Sequence, residues 1–109
     1  MTKVDEIRKY INNLGIPELE EIEKKTVFAY YKNGRGRVWI TKTKSNDPRV
    51  WINIETPETK SIETTAMCCL SGYKSAQENG TFQYPSFKAR TKKDIEIANP
   101  LIHRVCMEE

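Results

Sequence analysis

The sequence predicts an α+β fold: an N-terminal helix, an antiparallel meander of three or four strands, and a C-terminal helix packed on one face of the sheet. Three observations carry this. Apolar residues recur at helical spacing near both ends, and residues 26–56 are rich in β-branched and aromatic side chains broken by turn-forming tetrapeptides. A chain of 109 residues with 38% hydrophobic content fills one modest core, so a single domain over 1–109 is expected.

Val4, Ile7, Ile11 and Leu14 share one side of a helix expected over about residues 3–14, with Thr2 as cap, Asp5 and Glu6 at its positive end and Gly15 as its stop. An acidic connector from Glu18 to Lys25 follows Pro17 and has room for a further helical turn. Strands are then expected over Thr26 to Lys32, Arg37 to Lys44 and Arg49 to Thr56, separated by Asn33-Gly34-Arg35-Gly36 and Ser45-Asn46-Asp47-Pro48. A helix over Glu58 to Leu70, a loop through Gly80 and an edge strand within Thr81 to Arg90, interrupted by Pro85, complete the middle. Thr91 caps a last helix with Ile95, Ala98, Leu101, Ile102 and Val105 on one side, and Pro100 is expected to kink or divide it. The expected core is Val4, Ile7, Ile11, Val38, Ile40, Val50, Ile52, Ile54, Ile95, Ile102 and Val105.

Strand parity sets the faces. With a four-residue first turn, Lys32 faces Arg37, Tyr30 faces Trp39 and Phe28 faces Thr41, while Ala29 faces Ile40 on the other side. An odd-length second connection gathers Val38, Ile40, Val50, Ile52 and Ile54 on one side. The opposite side then carries Phe28, Tyr30, Lys32, Arg37, Trp39, Thr41, Thr43, Arg49, Trp51 and Asn53. Two strands share the local pattern Arg37-Val38-Trp39-Ile40 and Arg49-Val50-Trp51-Ile52, which pairs each tryptophan with a nearby arginine.

Net charge is +3, from 18 Lys and Arg against 15 Asp and Glu, so polarity of distribution matters more than excess. Glu18, Glu20, Glu21 and Glu23 make the connector acidic, whereas Lys32, Arg35, Arg37, Lys42, Lys44 and Arg49 are opposed only by Asp47. No export signal or spanning helix is visible, and an odd number of cysteines, Cys68, Cys69 and Cys106, fits a reduced cytoplasmic setting.

Catalysis is not expected. The only histidine, His103, shares a helix with Cys106, and a Cys/His pair there would need the two to meet within hydrogen-bond reach. A zinc site would have to combine Cys68 or Cys69 with His103 and Cys106, and adjacent cysteines point apart. The Glu run reads as a solvated face, and the Gly34/Gly36 turn leads into a strand instead of a helix, unlike a phosphate-binding loop. No metal, cofactor or catalytic residue is assigned. What stands out is a candidate binding surface of Tyr30, Lys32, Arg35, Arg37, Trp39, Arg49 and Trp51. Rings among cations suit single-stranded nucleic acid, where bases stack and phosphates meet Lys or Arg. The same residue types anchor protein interfaces. A later helix covering this face would instead make the rings core.

The stretch from Ile7-Arg8-Lys9-Tyr10 through Lys24-Lys25-Thr26-Val27-Phe28-Ala29-Tyr30, the Trp39 and Trp51 strands, Leu70-Ser71-Gly72, Asn79-Gly80 and Asp94-Ile95-Glu96 to Glu108 resembles a small α+β domain. That domain occurs alone or at the C-terminus of restriction-related nucleases of the ParB-like plus HNH type. The resemblance implies an association with restriction or phage and host conflict; the aromatic and basic sheet face makes a non-catalytic nucleic-acid-binding module the first expectation, with a protein-interaction or inhibitor module using the same face as the alternative. The resemblance supplies no site residues.

Overall fold

Helix α1, Lys3–Asn13, begins where Thr2 Oγ1 accepts from the Asp5 N–H at 3.1 Å, and ends before Gly15, whose φ of 64° reverses the chain. The structure, a computed structural model, describes residues 2–42, 47–54, 66–76 and 84–109. A five-stranded antiparallel sheet follows in the spatial order β1-β2-β3-β4-β5: Glu20–Glu23, Val27–Lys32, Arg35–Thr41, Arg49–Ile52 and Ser86–Lys88. Helix α2, Lys92–Met107, closes the domain. The Cα radius of gyration, 12.6 Å, matches the roughly 13 Å of a single packed domain of this length.

The acidic connector is a correction. Glu20–Glu23 is an edge strand on β2, not a helical turn, which raises the strand number to five. Its charges did not suggest a strand, but an edge tolerates them because only one side of its backbone needs a ladder. Residues 58–65 of the expected middle helix lie outside the described residues; its end is a 3-10 turn, Met67–Cys69. Thr43, Lys44, Glu55, Thr56 and the expected start of the last strand, residues 81–83, also lie outside them. Helix α2 runs unbroken through Pro100, which sits on its exposed side, where water can solvate the Glu96 carbonyl that proline leaves without a donor.

Every residue expected in the core is buried, and both helices meet the sheet on the same face. Val38 lies opposite Ile52 and Ile40 opposite Val50, as an odd-length connection requires. Phe28, Tyr30, Met67, Leu70 and Phe87 complete this cluster. Asp94, the third residue of α2, fixes the helix start: its carboxylate accepts from the N–H groups of Thr91, Arg90 and Ser71 at 2.9, 3.2 and 3.0 Å. Burial opposes the charge, and the N–H donors of Ser71 and Thr91 more than compensate, so its pKa falls below the usual carboxylate range.

The β2–β3 register is the second correction. The hairpin turns on two residues, Asn33 and Gly34, both with positive φ (53° and 76°), so Lys32 pairs with Arg35 and not Arg37. Tyr31 then faces Gly36 and Tyr30 faces Val38, leaving Arg37 as the extra residue of a β-bulge. The result is a one-residue slip from the expected pairing, which exchanges the faces of β2. Phe28, Tyr30 and Lys32 belong to the helix side; Val27, Ala29 and Tyr31 share the Trp39 side.

Candidate functional site: the outer face of the sheet

On the face away from the helices, one row runs straight across the strands: Ile22, Ala29, Trp39, Trp51 and Ser86. Neighbouring rows place Glu20, Tyr31 and Gly36 together, and Arg49 beside Lys88. Trp39 is the centre. Its ring stacks on Tyr84 at 4.9 Å and 12°, and meets the edge of Tyr31 at 6.3 Å and 81°. The indole also lies over Gly36, where an added Cβ would stand 2.3 Å from Cζ2, so the glycine is required by close approach. These contacts leave Trp39 only 6% exposed. Trp51, Tyr31 and Tyr84 are half-buried, and Ile22, at 38%, is an exposed large hydrophobic residue at the sheet margin.

The cations expected here are mostly elsewhere. Arg37 is 1% exposed and turns toward α2 through the bulge. Its Nη1 donates to the carbonyls of Val105 (3.2 Å) and Glu108 (2.8 Å), Nη2 to that of Lys32 (3.1 Å), and Nε to that of Arg35 (3.3 Å). Lys32 Nζ donates to the Met107 carbonyl at 3.1 Å, and Arg35 Nη2 pairs with Glu108 at 3.3 Å. Two cations, Lys32 and Arg37, therefore satisfy the last carbonyls of α2, where the helix dipole is negative, and Arg35 pairs with the Glu108 carboxylate beside them. Burial, and then the neighbouring Arg35, lower the Arg37 pKa, while burial pushes the Cys106 thiol up to about 12 against the opposing pull of Arg37 and Lys32. Tyr30 is fully buried, its hydroxyl donating to Glu21 on the helix side.

Arg49 stays on the outer face, half-buried, with Nη1 donating to the Gly72 carbonyl (3.1 Å) and Ser86 Oγ (2.8 Å). Of the seven residues singled out from the sequence, the structure thus brings Trp39, Trp51 and Arg49 together and assigns Tyr30, Lys32, Arg35 and Arg37 to the interior and the α2 terminus. Sequence reasoning missed Tyr31, Tyr84 and Ile22. The Asn33-Gly34 dipeptide signals a two-residue turn, but that turn alone keeps the expected faces of β2; the bulge at Arg37, which no local signal marks, brings Tyr31 to the Trp39 side.

Lys24 supplies a cation at the margin, donating to the Tyr31 hydroxyl at 3.1 Å with its ammonium 5.1 Å from the ring centroid. Lys42 reaches Glu23 at 2.7 Å. Among the described residues no group of three or more His, Cys, Asp or Glu side chains is placed to hold a metal, and no helix is long and apolar enough to cross a membrane. Searches of protein-family models, curated proteins and solved structures found no match to this chain.

Proposed function

We propose that this protein is a non-catalytic interaction module that docks a protein partner on the outer face of its sheet. One observation carries the reading: the half-buried rings of Tyr31, Trp51 and Tyr84 and the exposed Ile22 surround Trp39 on a single face, while Lys32, Arg35 and Arg37 are engaged at the α2 terminus. Aromatic anchors with a modest polar rim are the composition of protein hot spots. A nucleic-acid platform needs phosphate-binding cations beside its stacking rings, and three of the four cations expected there, Lys32, Arg35 and Arg37, are withdrawn, leaving Arg49. The resemblance to a module attached to restriction-related nucleases agrees with a domain that recruits another protein.

The test is affinity capture from host extract, followed by reconstitution of the captured pair from purified components. Trp51→Asp should abolish the reconstituted complex while leaving the far-ultraviolet circular dichroism unchanged. Salt-sensitive binding to oligonucleotides, with affinity falling steeply between 50 and about 200 mM salt, would replace this reading with the nucleic-acid one.

A further inference from the structure

The two edges of the sheet differ. The outer edge of β5 is closed, because Lys74 and Ser86 exchange both backbone hydrogen bonds at 2.9 Å and the Lys88 N–H donates to the Ser71 carbonyl at 2.7 Å. The edge of β1 has no such cover among the described residues. Register shows which groups it offers. Glu20 opposes Tyr31, Ile22 opposes Ala29, and the Lys24 N–H donates to the Val27 carbonyl at 2.9 Å, so Glu20, Ile22 and Lys24 direct their backbone groups at β2. Alternation then turns the N–H and C=O of Glu21 and Glu23 outward.

We propose that this edge is a docking strip for an extended, Lys- or Arg-bearing segment of a partner protein, which adds to the sheet as a strand beyond β1. Three observations select that occupant. First, a groove of about 480 Å³ lined by Glu18, Glu20, Ile22, Tyr31, Asn33 and Gly34 lies over the outer face of β1 and β2 next to the turn, so that a strand added beyond β1 would reach its Ile22 and carboxylate side. Second, Glu18 and Glu20 have no ion-pair partner among the described residues, so their charge is available to a cationic neighbour. Third, a second copy of this chain is disfavoured, because three of the four β1 residues are Glu and any register sets carboxylate against carboxylate. The strand's charges therefore both guard the edge against self-association and choose its partner.

Antiparallel addition gives the segment a pattern. The residues opposite Glu20 and Glu23 are cationic, because the Glu23 carboxylate, although paired with Lys42 at 2.7 Å, is still 64% exposed; the one opposite Ile22 is apolar, and the one opposite Glu21 is small and polar, since that carboxylate, held by Arg8 at 2.8 Å, is only 20% exposed. Main-chain bonds to Glu21 and Glu23 supply affinity, and the flanking carboxylates supply selectivity. This edge is distinct from the ring cluster on which the proposed function rests, although Ile22 and Tyr31 make the two surfaces continuous.

The probe is a fluorescein-labelled heptapeptide, Ser-Lys-Val-Thr-Lys-Val-Ser, titrated with the full chain by anisotropy, beside a version with Pro for Val and one with Glu for each Lys. The parent peptide should bind saturably and slow hydrogen exchange at the Glu21 and Glu23 amides. Each altered peptide should bind at least tenfold more weakly. The double variant Glu18→Lys with Glu20→Lys should lose at least tenfold, as should Glu23→Pro, which removes an outward N–H and leaves the β1–β2 ladder intact. Trp51→Ala should bind the peptide as the wild type does, which separates this edge from the aromatic face. No saturable binding at millimolar peptide, equal binding of the Pro peptide, or unprotected Glu21 and Glu23 amides would overturn strand addition.

Discussion

Arg37 offers the sharpest test of how this fold holds its second helix. Replacing it with Ala removes a guanidinium that bonds four carbonyls, and the bonds to Val105 and Lys32 are fully buried. The Val105 carbonyl would lose its guanidinium donor at about 1–3 kcal/mol, the Lys32 carbonyl would keep only its hairpin partner, and the lost packing of the side-chain stem adds to this. The expected loss is about 3–5 kcal/mol, the size seen when one member of a buried charged contact is removed. Urea unfolding followed by tryptophan fluorescence reads it directly. Arg37→Lys provides the graded control: one ammonium cannot address the hairpin and the helix end together, so the loss should be about 1–3 kcal/mol. Solvent would be satisfying those carbonyls instead if Arg37→Ala lost less than 1 kcal/mol, and the reading of Arg37 as a helix-terminus anchor would then be wrong.

Three further outcomes follow from the geometry. The Glu21 carboxyl, held by Arg8 and also by Tyr30 and Asn12, has its pKa lowered to about 2. A depressed carboxyl stabilises the fold fully above its unfolded pKa near 4.5, and this contribution disappears as pH falls toward about 2. Across that window the wild type should lose about 1–3 kcal/mol more than Glu21→Gln, measured by acid titration of the urea midpoint. Gly36→Ala should cost about 1–3 kcal/mol and shift the tryptophan emission, because its Cβ would overlap the Trp39 ring; an unchanged midpoint would show that the ring moves aside freely. Thiol reagent should label the exposed Cys68 and Cys69 in the folded protein, while the buried Cys106, its thiol pushed up to about 12, should react only on unfolding.

By itself the sequence determined the elements whose signals are local. Spacing of Val4, Ile7 and Ile11, the Thr2 and Thr91 caps, and the alternation in Val38-Trp39-Ile40 and Val50-Trp51-Ile52 each depend on neighbours along the chain, and each is realised. The opposition of Trp39 to Trp51 followed from the odd length of one connection. Only the tertiary structure decided the rest. Glu20–Glu23 is a strand because Ala29 and Tyr31 offer it a ladder, and Arg8 waits across the sheet margin for Glu21; nothing within the tetrapeptide itself favours extension. The bulge at Arg37 arises because the Trp39 indole occupies the space above Gly36 while α2 presents unpaired carbonyls on the other side. That single extra residue exchanged the faces of β2, moved Tyr30 inward and brought Tyr31 out beside Trp39. Strand parity is local arithmetic, but where the count gains a residue is set by contacts between elements far apart in the chain.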